Sequence, residues 1–288
     1  MQKNHCPLCH TDKFNYYKAG DDYLLAKCSV CGMVWDNNPP KNPTAIYQED
    51  YYNNDFPKGG YSNYFQGMKI NSQTFRERLL KAEKKLSSKG LLLDVGCALG
   101  DCLEQAKDLE WDNPQGLEVS EYAVNFAKSR GLSVCQGDLF NHSFEPNYFD
   151  LIMLQDMIEH TTNPIAQLTA AYQLLKPGGW IFITTPNVGG FWHRLLGSLW
   201  YHYKPTEHLT YFSLDTMKFA LEKTGFSDVE SKPTNNSMSV EYILDRLKYY
   251  QPTLFSFLLR IARTLNLHKL VFSLCIGELE AWERKVGE

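Results

Sequence analysis

Several features are missing from this chain, and each absence narrows the class of protein. No run of about 18 uncharged apolar residues occurs, so no membrane-spanning helix is predicted. The polar N-terminus reaches Cys6 without the apolar segment of a secretory signal. Acidic residues (33) outnumber basic residues (29), which disfavours nucleic acid as a partner. We therefore expect a cytoplasmic protein whose cysteines are thiols or metal ligands rather than disulfides.

Cysteines are few, but four of the eight are closely spaced. Cys6 and Cys9 form one Cys-x2-Cys pair, and Cys28 and Cys31 form a second pair after eighteen intervening residues. This is the spacing of a four-thiolate structural zinc site, because each pair can turn both sulfurs toward one ion. The sequence predicts a zinc ribbon with one zinc and short hairpin strands. The remaining cysteines, expected to be buried as small apolar side chains, are Cys97, Cys102, Cys135 and Cys275.

The stretch Leu91–Gly100 carries the clearest functional signal. Its apolar start predicts a short buried parallel strand, and the Gly-x-x-x-Gly run predicts a sharp turn into a helix. The run has neither the Gly-x-Gly-x-x-Gly spacing of dinucleotide-binding folds nor the Gly-Lys-Ser/Thr ending of a Walker loop. Asp94 at the strand end would repel a phosphate but suits a cationic amino acid. These features point to S-adenosylmethionine (SAM), which carries an ammonium and a sulfonium group.

With this loop the chain resembles the class I SAM-dependent methyltransferases, over roughly residues 75–230 and again at the C-terminus. Asp94, Gly96 and Gly100 match the family's Asp-x-Gly-x-Gly-x-Gly loop, which holds the methionyl part of SAM. Ala98 stands where the middle glycine is most common. The resemblance implies an α/β fold with a doubly wound, mostly parallel, seven-stranded Rossmann-like sheet.

Later strand ends extend the predicted cofactor site. Glu118 ends a second predicted strand, 24 positions after Asp94, where a carboxylate can accept both ribose hydroxyls. In the family, an acid placed like Asp138 receives the adenine amino group, and the segment from Gln155 walls the site. The residues predicted to contact SAM are Asp94, Gly96, Cys97, Ala98, Gly100, Glu118, Val119, Asp138, Leu139, Gln155 and Asp156.

A long aromatic loop after the fifth predicted strand ends in Glu207-His208. Loops leaving the carboxyl ends of parallel strands form the ligand crevice, so this pair can face the transferred methyl group. We predict that His208 is a general base oriented by Glu207; the alternative is that His208 only packs against the next helix. His160 is expected to be structural. The tyrosines predicted to bind substrate are Tyr51, Tyr52, Tyr61, Tyr203 and Tyr211, and the alternative for those of the entrance segment is to pack the ribbon onto the main domain.

The chain divides into five predicted segments. They are a zinc ribbon (1–36), a linker with an aromatic and helical entrance segment (37–90), a SAM-binding core (91–234), a helical insertion (235–277) and the last strand of the core sheet (278–288). In the insertion, residues 254–270 have amphipathic helical spacing, which suits a lid, a peripheral membrane contact or a dimer surface. The sequence leaves the oligomeric state open.

Three functions are compatible with these patterns. The first is a SAM-dependent methyltransferase for a small or carrier-linked polar metabolite. Glu207-His208-x-x-Tyr-Phe-Ser resembles a segment of zinc-ribbon methyltransferases that act on nucleotide-linked sugars, which favours a sugar-like acceptor. The second is an RNA or protein methyltransferase that docks its substrate on the ribbon. The third is a SAM-binding protein without catalytic activity.

Overall fold

The computed structural model describes residues 5–19, 23–53, 64–86, 88–205, 207–248 and 250–287, and only the backbone of 53 and 64–71. Its central sheet contains the strands β4 (Leu92–Val95), β5 (Gln115–Glu118), β6 (Ser133–Gln136), β7 (Phe149–Gln155), β8 (Leu175–Pro186), β10 (Glu230–Ser239) and β11 (Val271–Arg284). The strand order is β6-β5-β4-β7-β8-β11-β10. All neighbours from β6 to β8 are parallel, whereas β11 is antiparallel to both β8 and β10. The predicted mostly parallel, seven-stranded sheet is confirmed.

Helices cover both faces of this sheet and explain its apolar strands. The α-helices of the described residues are α1 (Glu49–Asn53), α2 (Tyr64–Lys85), α3 (Asp101–Asp108), α4 (Glu121–Ser129), α5 (Pro164–Leu174), α6 (Phe191–Leu196), α7 (Leu214–Lys223), α8 (Val240–Leu247) and α9 (Pro252–Thr264), of which α2 to α5 and α7 pack against the sheet. Leu92 packs with α2, α3 and α4, whereas Leu93 packs with α5 and α7 on the other face. Ser120 caps α4 and Ser213 caps α7. Within the described ranges, no helix is long and apolar enough to cross a bilayer.

The N-terminal module forms a second sheet from β1 (Phe14–Lys18), β2 (Leu24–Cys28), β3 (Val34–Asp36) and β9 (Thr210–Tyr211). The predicted hairpin of β1 and β2 is antiparallel. The fourth strand, β9, belongs to the aromatic loop of the main domain, and Trp35 of β3 pairs with Thr210 of β9. The module is therefore joined to the main domain by a shared sheet.

Two predicted strand boundaries are wrong. The sequence after the glycine at 225 predicts the sixth strand at Phe226–Glu230, but this strand begins at Glu230. The last strand was expected at Glu278–Lys285 and instead begins at Val271, before a glycine with a positive φ, Gly277 (+105°). Both differences come from a hairpin arm, residues 236–274. In this arm Asn236–Ser239 of β10 pairs with Val271–Leu274 of β11, and α8 and α9 form the connection between the two strands. Because residues such as Asn236 and Ser237 are polar, the pattern of apolar residues did not predict this part of β10.

The arm exposes apolar side chains along α9 and the residues after it. Leu254, Phe257, Leu265 and Leu270 are each about half exposed or more. The amphipathic helix predicted within 254–270 is confirmed, although α9 ends at Thr264 and a single 3-10 turn follows at Leu267–Lys269. Its role as lid, membrane contact or dimer surface stays a prediction. Cys275, predicted to be buried, is exposed on this arm.

Candidate functional site

A cavity of about 380 Å³ opens at the carboxyl ends of the parallel strands β4, β5 and β7. Ligands of doubly wound sheets bind at this edge. The predicted residues that line the cavity are Tyr51, Tyr52, Asp94, Gly96, Cys97, Ala98, Glu118, Val119, Asp138, Leu139, Gln155, Asp156, Glu207 and His208. The structure thus brings the predicted cofactor residues other than Gly100, together with the Glu207-His208 pair, to a single cavity.

Gly100 is absent from the residues that line this cavity. It precedes α3 with a φ of +88°, and a Cβ there would lie 2.5 Å from Leu132 Cδ1. Gly100 therefore allows the close packing of the turn against Leu132 rather than the approach of a ligand. Gly96 does face the cavity, and its φ of +74° and contact with Met157 leave no room for a side chain.

Glu118 is fixed by the backbone of the glycine turn. Its Oε2 accepts the N–H of Ala98 at 2.9 Å, and its Oε1 accepts the N–H of Ser120 at 2.8 Å. The side chain is buried, and this burial raises the pKa of Glu118 while the backbone donors oppose the shift. Two oxygens held in this way keep lone pairs for the hydroxyls of a ligand.

Asp94 lies at the floor of the same cavity, 3% exposed. Its Oδ1 accepts a hydrogen bond from the Gln155 amide at 3.3 Å. Burial raises the pKa of Asp94 to about 7, opposed by the Gln155 bond. A cationic ligand group beside Asp94 would favour the ionised carboxylate.

His208 also lines the cavity and is 4% exposed. Its Nδ1 lies 2.8 Å from the carbonyl oxygen of His202. The Glu207 carboxylate instead accepts the Tyr51 hydroxyl at 3.3 Å. The prediction that Glu207 orients His208 is therefore corrected: a backbone carbonyl holds the imidazole, because Glu207 turns toward the entrance segment.

The predicted substrate tyrosines divide into two groups. Tyr51 and Tyr52 line the cavity. Tyr203 and Tyr211 are not among its lining residues: the Tyr211 hydroxyl bonds Tyr23 at 3.2 Å, and that of Tyr203 bonds Tyr17 at 3.2 Å. They pack the N-terminal module onto the main domain, so their assignment to substrate binding is corrected. Tyr61 lies outside the described residues.

Two residues that were not predicted from the sequence, Arg78 and Tyr47, also line the cavity. Arg78 of α2 is buried and donates to Gln155 at 3.1 Å and Asn236 at 3.0 Å. Arg78 lies three positions after Phe75, on the apolar face of α2, and this position in the sequence could have predicted that its charge is buried. Tyr47 contacts His160 Nδ1 at 2.8 Å, and no sequence pattern distinguished it from its neighbouring tyrosines.

The four cysteines of the N-terminal module are close together. The sulfurs of Cys6 and Cys31, and those of Cys9 and Cys28, are 3.5 Å apart. All four lie within 4.8 Å of one another. A closed set of four thiolates suits a structural ion such as zinc.

Comparison with known proteins agrees with this fold. A family model described as a methyltransferase domain matches residues 69–231, more than half of the chain, and the chain belongs to this family. The ubiquinone biosynthesis O-methyltransferase of Dechloromonas aromatica is 35% identical over 103 residues, which cover 33% of this chain and 44% of that relative. The protein of the same name from Thiobacillus denitrificans is 32% identical over 103 residues, which cover 33% of this chain and 44% of that relative. The chain therefore spans less than half the length of these relatives.

Solved structures show the same fold at low identity. A SAM-dependent methyltransferase from Archaeoglobus fulgidus superposes with a TM-score of 0.54 at 19% identity, covering 77% of this chain and 99% of that chain. This likeness supports the Rossmann-like methyltransferase fold alone. Together with the family match, it confirms the expected class I architecture.

Proposed function

We propose that this protein transfers the methyl group of SAM to a hydroxyl group of a small or carrier-linked polar metabolite, with a sugar-like acceptor favoured. The observation that carries the proposal is the layout of the cavity. Two buried carboxylates, Asp94 and Glu118, reach it from the ends of β4 and β5, and the buried His208 reaches it from the loop before β9. We assign the part around the two strand ends to the cofactor (the cofactor half) and the part around His208 to the acceptor (the acceptor half).

The residues of the cofactor half fit SAM. Asp94 offers a carboxylate to its ammonium, and Glu118 offers acceptor oxygens to its ribose. Gly96 lines the cavity and has no Cβ, so the backbone there can approach the cofactor closely. When bound, SAM supplies an electrophilic methyl group.

In the acceptor half, His208 is our candidate for the group that takes up the acceptor proton. The bond from its Nδ1 to the His202 carbonyl leaves the lone pair of a neutral imidazole on Nε2. Burial lowers the pKa of His208 well below its usual value, so the ring is neutral. Glu207 contributes by holding Tyr51 at the cavity wall.

A phenolic acceptor is the second candidate. The curated relatives are named for ubiquinone biosynthesis, and their match covers a third of this chain. The rings of Tyr47 and Tyr51 pack against each other with their centroids 5.1 Å apart, and together they form an aromatic part of the cavity wall. Aromatic side chains suit both sugar faces and phenol rings.

One assay tests the function. The protein is incubated with methyl-labelled SAM and three acceptor panels: nucleotide-linked sugars, catechols, and bulk RNA or protein. Label transfer to the first panel supports the sugar-like acceptor, and transfer to the second supports the phenol. Transfer only to the third would favour macromolecular methylation, and SAM binding without transfer to any panel would favour a non-catalytic protein.

We expect His208→Ala to lower turnover by about 100-fold or more, a typical effect for loss of a general base. Affinity for S-adenosylhomocysteine (SAH) should remain near wild type, because His208 lies in the acceptor half. His142→Ala is the matched control, since His142 is not among the lining residues. Normal turnover by the His208 variant, with SAH affinity intact, would make His208 structural.

We expect SAM affinity to fall at acidic pH. The free protein has Asp94 with a pKa raised by burial to about 7, and a bound ammonium lowers that pKa. Binding therefore releases a proton below neutrality, and affinity should weaken about tenfold between pH ~7 and ~5.5. Calorimetry at both pH values measures this. Asp94→Asn should bind more weakly and lose the pH slope; an unchanged slope in that variant would exclude Asp94 as its source.

We further propose that Cys6, Cys9, Cys28 and Cys31 hold one structural zinc. The support is the convergence of four sulfurs within 4.8 Å of one another. Cys6 and Cys28 are buried, which suits an ion closed to solvent.

A further inference from the structure

A second group of metal-ligating side chains lies in the wall of the cavity itself. Glu159, His160 and His208 each offer one ligand atom, and these atoms lie within 4.8 Å of one another. Glu159 and His160 come from the 3-10 turn after β7, and His208 comes from the loop before β9. All three line the cavity. The fold thus brings together two imidazoles and a carboxylate from segments far apart in sequence.

Both imidazoles are held through the same nitrogen. His208 Nδ1 lies 2.8 Å from the His202 carbonyl, and His160 Nδ1 lies 3.0 Å from the Glu207 carbonyl. A carbonyl oxygen can only accept, so Nδ1 of His208 carries the proton and its Nε2 keeps the lone pair; Nδ1 of His160 also contacts the Tyr47 hydroxyl at 2.8 Å, which can donate or accept. Metal-binding histidines are typically fixed in this way by a backbone carbonyl on the other ring nitrogen.

Glu159 is a buried carboxylate in need of a cation. It is 1% exposed, and its Oε2 accepts the Thr185 hydroxyl at 2.9 Å. Arg78, the buried arginine nearby, is within salt-bridge distance of Asp156 and Glu278. Within the described ranges, no salt bridge joins Glu159 to a lysine or arginine. A buried carboxylate without a cationic partner is costly, and a bound ion would remove that cost.

We propose that Glu159, His160 and His208 bind one divalent metal ion in the acceptor half of the cavity. Two imidazole nitrogens and one carboxylate oxygen favour ions such as Zn²⁺, Mn²⁺, Fe²⁺ or Co²⁺. Three protein ligands leave coordination positions open toward the cavity, unlike the closed four-thiolate set. The site rests on the proposed function, because the acceptor oxygen is the natural ligand for an open position.

The ion also changes what His208 can do. An Nε2 atom bonded to a metal cannot take up a proton, so His208 is either a ligand or a base. With a metal in place, the ion would polarise the acceptor hydroxyl, and its proton would pass to solvent at the open cavity instead of to His208. Metal binding therefore decides between two roles of one residue.

Titration of the full chain with Mn²⁺, followed by electron paramagnetic resonance, tests the site. Mn²⁺ prefers nitrogen and oxygen donors to a four-thiolate site, so it reports on the cavity rather than on the cysteines. We expect one Mn²⁺ per wild-type chain, displaced by Zn²⁺, which binds such donors more tightly. Glu159→Gln and His160→Gln should each weaken Mn²⁺ binding at least about tenfold, whereas His142→Ala should not.

SAH affinity, measured on the same samples, verifies that each variant is folded. No bound Mn²⁺ or Zn²⁺ beyond the cysteine site in the wild type would overturn the proposal. Binding that survives both substitutions would overturn it as well. Loss of SAH binding by the wild type, with one Mn²⁺ still bound, would instead contradict the proposed function and leave the metal site standing.

Discussion

Glu118→Ala is expected to weaken SAM binding by more than about 100-fold. The Glu118 carboxylate is buried and lines the cavity beside the glycine turn, and in the proposed binding mode it accepts two ribose hydroxyls. Hydrogen bonds to a charged group contribute about 1.5–3 kcal/mol each, so two of them correspond to at least about two orders of magnitude. The substitution also leaves the N–H groups of Ala98 and Ser120 without their acceptor, which loosens the turn.

Calorimetric titration with SAM and SAH measures this effect. Glu118→Gln separates the two causes in part, because its amide oxygen can still accept one of the two backbone N–H groups while its NH2 group cannot accept a hydroxyl. We expect Glu118→Gln to keep the fold and bind SAM weakly. Glu121→Ala, at an exposed position on α4, is the matched control. Wild-type affinity in Glu118→Ala would mean that the cofactor lies elsewhere.

The cofactor half was predictable from sequence because its geometry is set by local rules. Asp94 and Glu118 each end a short apolar strand, and parallel strands bring their carboxyl ends to one edge of the sheet. Knowing where two strands end was therefore enough to place two carboxylates near each other. Gly100 shows the limit of this reasoning: a glycine in the motif can serve helix packing instead of the ligand.

The acceptor half was less predictable because distant segments build it. His208 and Tyr51 were recognised as candidates, but the sequence could not show that Glu207 would turn away from His208 toward Tyr51. Glu159 lies beside His160 in sequence, and only the tertiary fold brings His208 to both. The pairing of β3 with β9 is equally non-local, and it explains why Tyr211 faces the N-terminal module rather than the cavity.

Replacing the cysteines of the N-terminal module is expected to have the other large effect. Structural zinc in small modules contributes about 10–16 kcal/mol in apparent binding free energy, as much as or more than the 5–15 kcal/mol stability of a whole domain. Cys9→Ser combined with Cys31→Ser should therefore lose the zinc and unfold the module. Metal analysis should fall by one zinc per chain, and protease cleavage within residues 5–36 should increase.

The loss should reach the active site, because the module holds the loop that carries His208. The Tyr23 hydroxyl donates to the His208 carbonyl at 2.9 Å, and the Asp36 N–H donates to the Leu209 carbonyl at 2.9 Å. With these bonds gone, His208 is no longer fixed, whereas Asp94 and Glu118 keep their strands. We expect turnover to fall while SAH affinity stays within about threefold, a difference well under 1.4 kcal/mol. Cys275→Ser, at an exposed site outside the cluster, is the control and should change neither measurement. Full turnover in the double variant after loss of zinc would show that the acceptor half is positioned without the N-terminal module.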